Sequence, residues 1–205
     1  MFGIVAPCVR AEPLISTRRG CPNALTTPAG PQSTGTGLFS DYYGDDICPG
    51  SKGGKHHNSA MGCVTTIAAA IAAANVGGTT TNATGVTMTG SPKDPATMVY
   101  ALGVAKAADV VVLALGIDRS VEHEGVDRKD IKLPGMQSEL AKAVFKLGKP
   151  VVLVLTNGGP LAIDDLIDGA DAIVEAFNPA FGAPMLAKTL FGAENRWGKL
   201  PCVMQ

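Results

Sequence analysis

Long hydrophobic runs and clusters of basic residues are scarce in this chain of 205 residues. The longest nearly apolar stretch, residues 67–76, is shorter than the roughly 20 residues that a membrane-spanning helix needs. Lys and Arg never stand more than two in a row, and the formal net charge is −1, which argues against nucleic-acid binding. No basic residue precedes the apolar start of the chain, so it is a poor signal peptide. We therefore expect neither a nucleic-acid nor a membrane partner.

Cysteine and histidine patterns typical of metal sites are also lacking. The five cysteines include no CxxC pair, and no Cys/His spacing matches a zinc site. The adjacent His56 and His57 lie in a Gly- and Lys-rich stretch, which is more typical of a solvated loop. We expect no catalytic cysteine, no metal and no cofactor. The cysteines are Cys8, Cys21, Cys48, Cys63 and Cys202.

The chain has two parts that differ in composition. Residues 1 to about 60 are rich in Pro, Gly, Ser and Thr without sustained periodicity, which predicts loops with short extended pieces such as 37–44. From about residue 61 the pattern becomes regular.

The regular part alternates between helical and strand patterns. Continuous runs of β-branched residues predict buried strands, and apolar residues such as Leu140, Val144 and Leu147 recur on one helical face. Strands are predicted at 85–90, 109–116, 150–159 and 171–177, and helices at 63–75, 94–108, 134–149, 162–170 and 182–193. This alternation predicts a three-layer α/β sandwich with a mostly parallel sheet flanked by helices.

Charged residues concentrate directly after the second predicted strand, in residues 116–135, GIDRSVEHEGVDRKDIKLPG. Ligand-contacting groups of parallel sheets lie beyond the carboxyl ends of the strands, which correspond to 116–135, 156–162 and 177–182. A carboxyl group at such an edge can act as a general acid. The alternative is a solvated acidic loop in which Asp127 pairs with Arg128 or Arg119, and a metal site in this loop has weak support.

Several segments resemble the C-terminal α/β sandwich domain of glycoside hydrolase family 3, and the similarity is greatest to β-xylosidases. They are GIDRSVEHEGVDRKDIKLPGMQSELAKAV, GKPVVLVLTNGGPLAI and LFGAENRWGKLP, with LFSDYYG and Cys48 resembling the opening strand. The resemblance covers about residues 37–201, and it implies an α/β sandwich domain over 37–205 that follows an irregular extension over 1–36, prone to disorder. It implies retaining hydrolysis of β-linked oligosaccharides or aryl glycosides, with the nucleophilic aspartate on a (β/α)₈ barrel and the acid/base on a loop of this domain.

The resemblance also implies roles for individual residues. Glu122 matches the acid/base glutamate, and Glu124 is the second choice because alternation along the loop would point only one of them at a substrate. The substrate-binding candidates are His123, Asp118 and Asn157. Asp127 and Arg128 are expected to be structural.

A barrel of typically 250 residues cannot be accommodated in this chain, so we expect a fragment, with a barrel domain supplied in trans as a partner. The alternative function is a non-catalytic carbohydrate-binding or interaction module derived from the same domain. A nucleotide-binding flavodoxin-like domain is disfavoured, because the acidic loop repels phosphate. The resemblance implies an extracellular or vacuolar location, where Cys48 and Cys63 would form a disulfide bridge.

Overall fold

The computed structural model describes residues 2–7, 65–88, 90, 94–118 and 120–201. Its strands are β1 (Phe2–Pro7), β2 (Thr80–Val86), β3 (Val111–Gly116), β4 (Val151–Thr156) and β5 (Ala172–Glu175). Its α-helices are α1 (Ile67–Ala74), α2 (Asp94–Ala107), α3 (Gln137–Phe145) and α4 (Ala183–Leu190). The predicted extended piece at 37–44, His56–His57 and the Cys48–Cys63 pair lie outside the described residues.

The five strands form one sheet in the order β2-β1-β3-β4-β5. β3, β4 and β5 are parallel, whereas β1 is antiparallel to both β2 and β3. Four of the five strands therefore run in the same direction, as predicted. Their carboxyl ends, including Gly116, Thr156 and Glu175, lie along one edge of the sheet.

Helices cover both faces of the sheet, and β3 and β4 divide their side chains between the two faces. Ile71 of α1 and Ala187 of α4 pack on one face with Val112 and Val154. Leu113, Leu115, Leu153 and Leu155 face the other side, in a larger cluster with residues of α2 and α3. The β-branched and leucine runs of β3 and β4 are buried because both faces are covered. The predicted three-layer sandwich is confirmed.

Three predicted elements differ in the structure. β2 lies at Thr80–Val86 rather than 85–90, because its threonine-rich half pairs with β1. The predicted helix at 162–170 contains only a short 3₁₀ turn at Ile167–Gly169, since Asp and Gly are poor helix formers. β5 is not the buried strand that was predicted: it lies at the end of the sheet that the described strands form, and Ile173 is 38% exposed.

The amino-terminal segment also differs from its prediction. Residues 1–36 were predicted to be irregular, but Phe2–Pro7 form a strand between β2 and β3. Short-range patterns missed it because the segment is brief and its partners lie far along the chain. The domain boundary at residue 37 stays a prediction.

Candidate active site

The acidic loop, residues 117–136, leaves the carboxyl end of β3 and returns to α3. Its two ends meet at Gln137, whose side chain is fully buried. The Gln137 amide nitrogen donates to the Gly116 carbonyl at 2.9 Å, and its amide oxygen accepts from the Gly116 N–H at 2.9 Å. One side chain thus satisfies both backbone groups of the last strand residue and closes the base of the loop.

Gly116 is the point at which the loop departs from the sheet. Its φ is 149°, and a Cβ atom there would lie 1.8 Å from the Thr156 carbonyl oxygen. The same oxygen accepts a hydrogen bond from the Ile117 N–H at 2.9 Å. Only glycine allows this close approach of the two strand ends.

A turn initiated by Asp118 positions Glu122. The Asp118 carbonyl accepts from the N–H groups of Val121 and Glu122 at 3.0 and 3.2 Å. Its carboxylate accepts from the Ser120 N–H at 2.8 Å and from the Ser120 hydroxyl at 2.5 Å. Asp118, predicted to bind substrate, therefore uses one carboxylate oxygen to stabilise the loop itself.

A tight hairpin follows and carries Glu124 at its tip. His123 and Val126 exchange backbone hydrogen bonds of 3.1 and 2.9 Å across the turn. Gly125 has a φ of 82°, the left-handed value that glycine adopts readily in such turns. The side chains of His123 and Glu124 are consequently exposed at the end of a defined backbone structure.

Arg128 links the acidic loop to the segment that follows β4, residues 157–162, which we call the glycine turn. Its guanidinium forms an ion pair with the Glu122 carboxylate and donates from Nη2 to the Pro160 carbonyl at 2.8 Å. The Arg128 side chain is 6% exposed and that of Glu122 31% exposed. Arg128, which was expected to be structural and was also considered as a partner for Asp127, thus holds the predicted acid/base, Glu122.

The glycine turn is shaped by the buried side chain of Asn157. Its amide nitrogen donates to the Gly159 carbonyl at 2.8 Å and to the Glu175 carboxylate at 3.3 Å. A Cβ atom on Gly159 would lie 3.0 Å from Arg128 Nη2 and 3.1 Å from Glu122 Oε1, so the ion pair packs directly against this glycine. Asn157 therefore lies beneath the turn, and its contact with substrate stays a prediction.

Glu175 is a residue at this edge that sequence reasoning did not select. Its carboxylate accepts a hydrogen bond from the Phe177 N–H at 2.9 Å, and Phe177 has a positive φ of 49°. Burial raises the pKa of the Glu175 carboxyl, while the hydrogen bonds from Phe177 and Asn157 oppose this rise. A carboxylate within the otherwise apolar run AIVEAF, residues 172–177, was the available signal.

Two further features are absent from the part of the chain that the structure describes. Across 65–88, 94–118 and 120–201, no three His, Cys, Asp or Glu side chains are grouped so that they could hold a metal ion. Over the same residues, no helix has the length and apolar character needed to cross a bilayer.

The family of the chain follows from its sequence as a whole. The model of the glycosyl hydrolase family 3 C-terminal domain matches residues 27–205. The chain therefore belongs to glycosyl hydrolase family 3, and the resemblance indicated by its motifs is confirmed. The α/β sandwich is the fold expected for this domain.

Among similar proteins, the periplasmic beta-glucosidase of Salmonella typhimurium is 43% identical over 112 residues, which are 54% of this chain and 15% of that protein. The beta-xylosidase of Formosa agariphila is 41% identical over 101 residues, covering 49% of this chain and 14% of that protein. The crystal structure of a Bifidobacterium adolescentis GH3 beta-glucosidase is 36% identical with a TM-score of 0.50, over 53% of this chain and 16% of that one. The chain thus spans about 15% of the length of these relatives.

Proposed function

We propose that this chain is the C-terminal-domain part of a β-glycosidase and supplies the acid/base group for retaining hydrolysis. The observation that carries the proposal is the exposed carboxyl group of Glu124 at the tip of an acidic loop that is fixed at its base and its middle. Family membership supports the reaction class. A defined loop with an exposed carboxyl group matches what proton donation to a bound substrate requires.

Of the two glutamates predicted for this role, we favour Glu124 over Glu122. The Glu122 carboxylate is already engaged by Arg128 and packs against Gly159. A proton donor has to come within hydrogen-bond reach of the leaving oxygen, and Glu122 would lose its ion pair in doing so. Glu124 is exposed and can reach a substrate without breaking that pair.

The chemistry needs a second carboxyl group. In retaining hydrolysis the acid protonates the leaving oxygen, then acts as base for water, while a nucleophilic carboxylate lies about 5–5.5 Å away. We propose that this nucleophile comes from a (β/α)₈ barrel domain that docks at the carboxyl edge of the sheet. His123, next to Glu124 and also exposed, would contact the sugar.

The relatives suggest the substrate and the compartment. Their names include beta-glucosidase, beta-xylosidase and exo-alpha-(1->6)-L-arabinopyranosidase, so the shared domain serves several sugars. We propose β-glucosides and β-xylosides as the first substrates to test. The periplasmic location in the name of the Salmonella typhimurium relative supports a location outside the cytoplasm.

The test is turnover of aryl β-glucosides and β-xylosides by the chain combined with a family 3 barrel domain. Glu124→Gln should lower kcat/KM by about 10²–10⁴-fold on a poor leaving group and much less on dinitrophenol, which departs without protonation. Azide, which attacks without base assistance, should restore turnover. Glu139→Gln, an exposed change on α3, serves as the matched control. A leaving-group dependence that appears in Glu122→Gln instead would assign the role to Glu122.

The second candidate is a non-catalytic carbohydrate-binding module. The engagement of Glu122 by Arg128 favours it, because this carboxylate is used to build the loop. Calorimetric titration of the chain with cellobiose and xylobiose would detect such binding. Binding without turnover in the presence of the barrel domain would support the module and exclude the acid/base proposal.

A further inference from the structure

Glu175 has no part in the proton transfer proposed above, yet its two carboxylate oxygens serve different loops. It is the last residue of β5, and the strand pairing places it beside Leu155 of β4. Oε1 accepts from the Phe177 N–H at 2.9 Å, in the segment that leaves β5. Oε2 accepts from the Asn157 side-chain amide at 3.3 Å, across to the segment that leaves β4.

The two strand exits are joined reciprocally. The Asn157 backbone N–H donates to the Phe177 carbonyl at 3.3 Å. Asn157, Phe177 and Glu175 are therefore each hydrogen-bonded to the other two. Phe177 adopts a positive φ, a conformation that costs free energy for a residue with a side chain and needs support from its surroundings. The Glu175 carboxylate provides that support at the Phe177 N–H.

The contacts continue from Asn157 to the acidic loop. The same Asn157 amide group donates to the Gly159 carbonyl at 2.8 Å. Gly159 packs against the ends of Arg128 and Glu122, and the next residue, Pro160, accepts from Arg128 at 2.8 Å. The glycine turn therefore contacts both members of the Glu122–Arg128 ion pair.

We propose that Glu175 is a positioning residue, which holds Asn157 and thereby fixes the glycine turn that supports the Glu122–Arg128 pair. The proposal rests on the proposed function only for its effect on turnover. Its structural part concerns contacts within this chain.

The protonation state of Glu175 gives this role a measurable signature. An ionised carboxylate accepts from both Phe177 and Asn157, whereas a carboxyl group that has bound a proton keeps only one oxygen as a pure acceptor. Burial raises the pKa of Glu175 above its usual value, so this change falls within an accessible pH range. The charged groups across the glycine turn are Arg128 and Glu122, which pair with each other.

The experiment is a pH titration of the isotopically labelled full chain by nuclear magnetic resonance. In the wild type, the backbone amides of Phe177 and Gly159 and the Nε–H of Arg128 should shift together, with a midpoint above 4.5. In Glu175→Gln this common transition should disappear, because glutamine does not titrate. Glu139→Gln, exposed on α3, should leave it unchanged.

Two outcomes would overturn the proposal. In the first, Phe177 titrates while Gly159 and Arg128 stay fixed, which would confine Glu175 to its own loop. In the second, the common transition persists in Glu175→Gln. The wild-type titration decides the first point without any variant, so a folding defect in Glu175→Gln leaves the proposal testable.

Turnover separates this proposal from the proposed function. In the chain combined with a barrel domain, Glu175→Ala should lower kcat/KM by about 10–100-fold, with unchanged dependence on the leaving group, because it displaces the loop without removing the acid. Glu175→Gln, which keeps an acceptor for Phe177, should restore part of that loss. If no turnover is found at all, the proposed function fails. The magnetic resonance titration still tests whether Glu175 positions the glycine turn.

Discussion

The acidic loop and the glycine turn leave neighbouring parallel strands at the same edge of the sheet, yet they are built in opposite ways. The acidic loop is long and exposes charged side chains, and it obtains its shape from turns and from the Glu122–Arg128 ion pair. The glycine turn is short, and a buried amide side chain holds it from beneath. The exposed loop carries the candidate chemistry, while the turn provides the support.

This difference shows how an exposed carboxyl group can be held in place at a sheet edge. Glu124 itself needs no buried partner, because the backbone that carries it is fixed at Gly116 and Gln137 and braced by Arg128. Two of these points depend on the next strand and its exit, because Gly116 lies against Thr156 and Arg128 donates to Pro160 in the glycine turn. Four substitutions or conditions test how far the two regions depend on each other, with effects on stability that decrease from Gly116 to Glu175.

Gly116→Ala should disrupt both regions together. A Cβ atom 1.8 Å from the Thr156 carbonyl forces the ends of β3 and β4 apart, and the free energy of unfolding should fall by about 4 kcal/mol or more. Urea denaturation measures this loss. Gly103→Ala is the control, because its site in α2 has no atom within 4 Å and alanine favours a helix by about 0.5–1 kcal/mol. Equal stabilities of the two variants would contradict the close approach at Gly116.

Gln137→Leu should release the acidic loop and leave the glycine turn in place. Both backbone groups of Gly116 lose their partner in a buried site, which should cost about 2–4 kcal/mol. Hydrogen exchange should accelerate in residues 117–136 and stay slow at Asn157. Uniform acceleration in both regions would mean that the loop and the turn are not separable. Glu139→Gln, two residues further along α3 and exposed, should change neither rate.

Gly159→Ala and Gly158→Ala are a matched pair within the glycine turn. Alanine at 159 places a Cβ atom about 3 Å from the ends of Arg128 and Glu122, which should cost about 1 kcal/mol and displace the ion pair. At 158 the nearest atom is 3.8 Å away, so the cost should stay below about 0.5 kcal/mol. Denaturation and tryptic cleavage after Arg128 or Lys129 compare the two. Equal cleavage rates would show that the pair does not rest on Gly159.

Comparing the pH dependence of stability between the wild type and Glu175→Gln should isolate the contribution of Glu175. Because its folded-state pKa is raised above 4.5, the native state binds this proton more tightly than the unfolded state. The stabilisation is therefore fully present below 4.5 and is lost as pH rises through the folded-state pKa. The difference in unfolding free energy between the wild type and Glu175→Gln should shift against the wild type over that range. A difference that is constant with pH would contradict the raised pKa.

The central part of the fold could be predicted from the sequence because its signals are local. The buried runs of β3 and β4 and the apolar face of α3 follow directly from residue type and periodicity. The position of the acidic loop follows from one rule about parallel sheets. Family membership then followed from motifs concentrated in these same segments.

Features that depend on distant partners could not be predicted in the same way. β1 is placed by pairing with β2 and β3, and the exposure of β5 depends on its position at the end of the sheet. The pairing of Glu122 with Arg128 requires a loop that turns back on itself, which residue spacing does not specify. Glu175 gains its partners only when the exits of β4 and β5 meet.

The clamp between Gln137 and Gly116 has a consequence for how this domain can vary. Both hydrogen bonds that Gln137 makes at the base of the acidic loop are to backbone atoms of Gly116. We therefore expect that the loop between these two residues can be replaced by another sequence without altering the sheet. Grafts that retain Gly116, Gln137 and the Glu122–Arg128 brace provide a route to redesigning the hairpin tip. Such chimaeras would alter what the edge of the sheet presents while preserving the scaffold beneath it.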